Sequence, residues 1–183
     1  SNTLREKHNL LGIYPSCGQP GRVISQVPAN QHRKLARKIE RMTHSILSVE
    51  ELPAGEFGFP GPQRDTLVAA IMSGEKTATS SLVYEYEVFE EKIPEVGDME
   101  AVVDTRGIRV CVIANTEVEV VPLGEVTLEH ALAEGEGFES VADWRDAHEK
   151  FWGSKEYRKA LGENFQELTD DTPVYCVKFR KLF

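Results

Sequence analysis

Between positions 73 and 81 the chain reads Ser-Gly-Glu-Lys-Thr-Ala-Thr-Ser-Ser, so four hydroxyl residues (Thr77, Thr79, Ser80 and Ser81) follow Lys76 within five positions. A lysine beside a hydroxyl can serve as the base in nucleophilic catalysis if burial lowers its pKa towards neutrality, leaving a free amine to take the proton as the oxygen attacks. The run is not a phosphate-binding P-loop. Its glycine spacing is wrong, and the helix precedes Gly74 instead of following it. The same residues also read as a hydroxyl-rich strand start with a solvated lysine, and residue types alone leave both readings open.

Other side chains offer less. Trp144, His148, Phe151 and Trp152 fall at helical spacing, which suits a core face with a buried, hydrogen-bonded histidine. Tyr84 and Tyr86 alternate on an expected strand and so share one face, towards either a pocket or solvent. Glu85, Glu87, Glu90 and Glu91 read as a charged strand edge that guards against edge pairing. Arg106 and Arg109 flank a turn and read as solvated charge. No cluster has metal-ligand spacing: His130 and His148 lie eighteen apart without an evident partner.

These residues need elements to position them. Asn30 caps a predicted helix over 30–48, with Leu35, Ile39, Met42, Ile46 and Val49 as its apolar stripe and Arg33, Lys34, Arg37, Lys38 and Arg41 elsewhere on its surface. Its basic face is either solvated or offered to RNA or a partner. Residues 50–63 break that helix. Asp65 begins another, which Gly74 ends in a left-handed cap. Residues 77–89 read as strand. A hairpin turn at Asp104-Thr105-Arg106-Gly107 separates two further strands. Residues 123–133 read as helix or turn. Ser140 and Asp143 form a capping box for a helix closed by Gly153, a short helix covers 154–161, and Val174–Leu182 is a buried strand. Helix, several strands, helices and a last strand predict an α+β fold built on a small curled sheet or β-barrel with flanking helices.

Composition sets the outer limits. The 183 residues make one domain plus an arm, 1–50 and 55–183, and no apolar run can span a bilayer. Cys17, Cys111 and Cys176 are too sparse for a disulfide framework or a cysteine-rich zinc site. Cys111 and Cys176 sit in apolar runs and predict burial. With no apolar leader at the amino end, the expectation is a cytoplasmic protein. The charge is uneven, +5 over residues 1–50 and −14 over 51–183. An acidic body does not attract polyanions by itself, so nucleic acid contact would fall to the basic arm.

The motif GEKTAT matches the G-x-K-x-x-T signature of ASCH domains, and GEKTATSSL, YEYE, the VGD turn, EGEGF and W-R-x-A-H occur in the order of one bacterial subgroup. The sequence therefore resembles the ASCH family of PUA-like folds over roughly 57–183. The resemblance implies action on RNA or nucleosides, including amide hydrolysis of N4-acetylcytidine in one branch. Lys76 then matches the signature lysine, Thr79 the signature threonine, and Glu134 the later glutamate, with Glu136 as its alternative. In that scheme Thr79 attacks an acyl carbonyl, a partly neutral Lys76 takes its proton, and Glu134, its pKa raised, protonates the leaving amine. Ser80 or Ser81 are alternative nucleophiles, and backbone N–H groups after Gly74 are candidates for the oxyanion. Because the subgroup shares Trp144 and His148, they become candidates, with Tyr84, Ser80, Ser81 and Glu136, for the substrate-binding wall. No cofactor is expected. The alternatives are a ribonuclease, with room for a divalent ion on Glu134 and Glu136, and a non-catalytic RNA-binding module. A homodimer is compatible with either.

Overall fold

The computed structural model describes residues 49–183. The predicted arm helix over 30–48 and Cys17 lie outside the described residues. Five strands form one curled sheet: β1 (Ala54–Gly55), β2 (Ala78–Leu82), β3 (Met99–Val103), β4 (Arg109–Pro122) and β5 (Pro173–Lys181). Their spatial order is β1-β3-β4-β5-β2, with β1 parallel to β3 and the other pairs antiparallel. The helices are α1 (Pro62–Ser73), α2 (Val83–Val88), α3 (Leu128–Ala133), α4 (Val141–Trp152) and α5 (Lys155–Leu161). This is the α+β half-barrel with flanking helices that the element order predicts. Among the described residues no helix is long and apolar enough to cross a membrane.

Local chemistry sets most boundaries. Pro62 opens α1 at the first helical position, where its missing N–H costs nothing, and Gly74 ends it at φ 86°. Ser140 Oγ accepts the N–H of Asp143 and so caps α4 as predicted. The Asp143 carboxylate accepts the Ser140 hydroxyl and not its backbone N–H, so the reciprocal bond of a capping box is replaced by a hydroxyl–carboxylate one. Ser154 caps α5 by accepting the Tyr157 N–H, and Thr127 caps α3 by accepting that of His130. At the β3–β4 hairpin Asp104 Oδ1 accepts the N–H groups of Arg106 and Ile108, and Gly107 takes φ 77°.

The two sheet faces bury different clusters. On the outer face Leu82, Val174 and Cys176 pack against Trp144, Trp152, Tyr157 and Leu161 of the helical layer. Inside the curl Phe57, Leu67, Ile71, Cys111, Ile113 and Phe179 form one cluster, and Tyr86, Val118, Tyr175 and Val177 another. Cys111 and Cys176 are buried free thiols, as expected from their apolar surroundings. A β-bulge between Asn115 and Glu117 resets the alternation of β4: Ile113 faces the curl before it and Val118 after it.

One stretch departs from expectation. The strand predicted over 77–89 stops at Leu82, and Tyr84, Tyr86 and the neighbouring glutamates ride on helix α2. Tyr84 and Tyr86 therefore do not share a strand face, and Glu85 is no strand-edge guard but a fully buried side chain. The alternation of Val83-Tyr84-Glu85-Tyr86 suits a strand in isolation. The packing of α2 against β5 and β2 overrides it.

Candidate active site

Lys76 lies just beyond the left-handed cap of α1, and its own N–H closes that cap on the carbonyl of Ala70 at 3.0 Å. The next residue, Thr77, donates its N–H to Ala133 O at 2.8 Å, tying the start of β2 to the end of α3. The loop after α3 then lies directly on the backbone of residues 75 and 76. A Cβ built on Gly135 would stand 2.3 Å from Glu75 O and 2.5 Å from Lys76 N, and Gly135 also has φ 63°. Glycine is required there on both counts. Gly135→Ala is expected to push this loop off Lys76 and lower the melting temperature by several degrees, measured by thermal denaturation. A melting temperature equal to the wild type's would contradict the close approach.

This docking brings together residues 58 and 60 positions apart. Lys76 Nζ, almost fully buried, donates to Glu134 Oε2 at 3.0 Å, to Glu134 O at 3.2 Å and to Glu136 Oε1 at 2.8 Å. Glu134 is equally buried. Its second oxygen, Oε1, accepts from Ser80 Oγ at 2.7 Å and from Trp144 Nε1 at 2.8 Å. The Nε2 atoms of His130 and His148 each stand 3.4 Å from the same oxygen. His148 is oriented by Nδ1, 2.9 Å from Trp144 O, and by stacking on the Trp144 ring at 4.2 Å.

The charge states follow. Burial opposes the Lys76 ammonium, but the carboxylates of Glu134 and Glu136 more than offset it, and its pKa is raised above 10.5. Burial likewise opposes the Glu134 carboxylate, yet Lys76 and then His148 hold it well below the usual carboxylate range. The resting site is thus an ion pair, not the neutral lysine and protonated glutamate that the sequence suggests. The cause is mutual: each charge is the other's main compensation. His148, desolvated but facing Glu134, is also raised above 6.5.

The sign of the His148 linkage can be worked out. Its unfolded pKa is near 6.5 and its folded value is higher, so its stabilisation is fully present below the unfolded value and lost as pH rises through the folded one. The gap in melting temperature between wild type and His148→Gln is expected to be widest near pH 5.5 and to narrow by pH 9. A gap that widens with pH would contradict it.

The cluster forms the floor of a cleft open to solvent. Phe57, Gly58, Gln63 and Leu67 from the start of α1 and its approach line one wall, and Ala147, His148, Phe151 and Trp152 of α4 the other. Thr79 and Ser80 of β2 lie between them with Lys76, Glu134 and Glu136. The three hydroxyls singled out in the sequence separate here. Ser80 is committed to Glu134 and stands 2.8 Å from His130 Nε2. Ser81 pairs with Tyr86 OH at 2.7 Å inside the curl. Thr79 is half-buried and lines the cleft, and its hydroxyl has no hydrogen-bond partner among the described residues.

Trp144 is fully buried and reaches the site through its indole N–H and His148, while Tyr84 packs against the helical cluster away from the cleft. Tyr84 is therefore removed from the substrate wall. The backbone N–H groups proposed for an oxyanion are already donated, Glu75 N to Ser73 Oγ, Lys76 N to Ala70 O and Thr77 N to Ala133 O. Glu134 and Glu136 clasp an ammonium, and no group of three potential metal ligands occurs among the described residues. Sequence reasoning missed His130. The signal was its i,i+4 spacing to Glu134, which places both on one side of α3.

Comparison with known proteins agrees with this fold. The chain is similar to the ASCH domain from Lactobacillus crispatus JV V101, at 25% identity and a TM-score of 0.61 over 86% of this chain and 97% of that one. It shares the fold of protein EF3133 from Enterococcus faecalis V583, described under the family model DUF984, at 22% identity and a TM-score of 0.64 over 84% and 89%. No curated protein matches the sequence. A family model described as ASCH domain matches residues 56–182, and the chain belongs to that family, whose fold is PUA-like and of the RNA-binding type.

Proposed function

We propose that this protein is an amidohydrolase acting on N4-acylated cytidine or a closely related N-acyl nucleoside. The observation that carries the reading is the buried Lys76–Glu134 pair on the floor of the cleft, beside the unengaged hydroxyl of Thr79. Moving one proton across the 3.0 Å contact turns the ion pair into an amine and a carboxylic acid, the two groups that amide cleavage needs. The amine takes the Thr79 proton as Oγ1 bonds to the acyl carbon. Glu134 protonates the departing nitrogen as the C–N bond breaks. Water then attacks the acyl-Thr79 ester and gives a proton to Glu134, while Thr79 leaves with one from Lys76. Return of the shared proton restores the ion pair. The positive charge that Lys76 regains in the first step offsets the developing oxyanion through its field alone, since its three N–H groups are held by Glu134 and Glu136 and the local backbone N–H groups are also engaged.

Hydrolysis of N4-acetylcytidine by the full chain tests this. Lys76→Ala and Thr79→Ala are expected to abolish turnover, and Ser80→Ala to retain part of it because Ser80 orients Glu134. The pH profile of kcat/KM is expected to be a plateau, falling only below the ordinary carboxylate range and above the ordinary lysine range, since Glu134 is shifted down and Lys76 up. Full turnover in a folded Lys76→Ala protein would sink the mechanism.

RNA binding without turnover is the second reading, favoured by the fold type of the family. A salt titration distinguishes them. RNA affinity falls steeply with ionic strength, whereas turnover of an uncharged nucleoside hardly changes.

A further inference from the structure

The turn of α3 that presents Glu134 to Lys76 carries His130 one turn earlier. The N–H of Glu134 bonds to His130 O at 3.2 Å, and Thr127 accepts the His130 N–H. Ser80 of β2 meets both side chains. Its Oγ stands 2.7 Å from Glu134 Oε1 and 2.8 Å from His130 Nε2, and those two atoms are 3.4 Å apart. Ser80 and His130 are each 4% exposed and Glu134 1%, so solvent does not compete for these contacts.

The direction of each bond follows from counting hydrogens. Ser80 has one hydroxyl hydrogen and two close partners. Glu134 is ionised beside Lys76, and an ionised carboxylate only accepts. The hydroxyl hydrogen therefore points to Oε1; turned towards His130, it would leave two bare oxygens facing each other at 2.7 Å. His130 must then donate from Nε2 to Ser80 Oγ. This is the reverse of a serine nucleophile and its base, in which the hydroxyl donates to the imidazole.

The two oxygens of Glu134 are thereby unequal. Oε1 accepts from Ser80 and from Trp144 Nε1 at 2.8 Å, which fills its two lone pairs, and His148 Nε2 stands 3.4 Å from it as well. Oε2 meets only Lys76 among the described residues.

We propose that His130 is a positioning residue: by donating from Nε2 it pins the Ser80 hydroxyl on Glu134 Oε1 and so confines the proton that Glu134 exchanges to Oε2, the oxygen facing Lys76. That a proton is exchanged during turnover rests on the amidohydrolase reading; the direction of the hydrogen bonds rests on the three distances and the ion pair.

Proton–nitrogen correlation spectra of the imidazoles in the full chain at neutral pH, with His130 assigned through its own side-chain couplings, test the direction. His130 Nε2 is expected to carry hydrogen. A bare Nε2 would overturn the proposal, because Ser80 would then have to donate to it. A double-mutant cycle of His130→Ala and Ser80→Ala tests the rest, read by urea denaturation and by hydrolysis of N4-acetylcytidine. His130→Ala alone is expected to lower kcat about tenfold, the loss of one hydrogen bond in a charged network, with KM little changed. Added to Ser80→Ala, it is expected to lower kcat by less than about threefold, since His130 acts through Ser80. His130→Gln, whose amide N–H reaches near the place of Nε2, should recover most of the loss, and the shorter His130→Asn little of it.

Additive effects of the two alanine substitutions, or equal recovery by Gln and Asn, would leave His130 a packing residue and overturn the proposal. A wild type that hydrolyses no N-acyl nucleoside would instead remove the hydrolase reading and the proton exchange with it. Hydrogen on Nε2 and non-additive urea midpoints would in that case still support the pinned hydroxyl.

Discussion

Glu134→Ala is expected to lower the free energy of unfolding by about 3–5 kcal/mol, the usual cost of removing one partner from a buried ion pair. The loss is not one interaction. Lys76, Ser80 and Trp144 all donate to this carboxylate, and with it gone a buried ammonium keeps only the carbonyl of residue 134 and, as its one counter-charge within contact distance, the partly exposed Glu136. Glu134→Gln separates the contributions. A carboxamide oxygen can still accept from Ser80 and Trp144, so the stability loss should be smaller. The charge and the transferable proton are gone, however, and hydrolysis should fall by about 10²–10⁴-fold. Urea denaturation at pH 7 reads the first effect and steady-state turnover the second. Equal destabilisation by the two substitutions would mean that charge, not hydrogen bonding, is what the surroundings of Glu134 need.

Trp144→Ala should cost a similar amount, about 3–5 kcal/mol, for a different reason. Trp144 is fully buried, stacks on His148 at 4.2 Å and meets Trp152 edge-on at 6.3 Å. Truncation leaves a cavity in the helical layer and removes the indole donor from Glu134 Oε1. Trp144→Phe fills most of the volume but still lacks the donor. It is therefore expected to restore most of the stability, while activity recovers less, since Glu134 stays short of one hydrogen bond. Parallel recovery of both would show that Trp144 serves packing alone.

Much of this arrangement was readable from the chain, and the parts that were not have physical reasons. Gly74, Ser140, Ser154 and the Asp104–Gly107 turn are local signals whose hydrogen bonds close within a few residues, and each appears where its chemistry predicts. The positions of Lys76, Glu134 and His148 in one cleft followed from resemblance, because no local rule brings together residues 58 or more positions apart. Charge state was the harder matter. A lysine near hydroxyls suggests a depressed pKa, and only the distances to Glu134 and Glu136 reverse the sign. Helix α2 was misread because its alternating Tyr and Glu residues carry a strand's period, while burial of Glu85 and Tyr86 depends on β5, far along the chain. The β4 bulge at Asn115 gave no sequence signal, since a bulge is a relation between two strands and not a property of one.

The strand order also sets when the site can exist. β2 carries Thr79 and Ser80, and its ladder is made to β5, residues 173–181, almost a hundred positions later. A chain emerging from the ribosome can form the β3–β4 hairpin and cap its helices early, but the strand bearing Thr79 and Ser80 has nothing to pair with until β5 arrives. Formation of the cleft is thus tied to synthesis through residue 181. A polypeptide cut short before β5 would carry every residue of the Lys76–Glu134 cluster and no cleft.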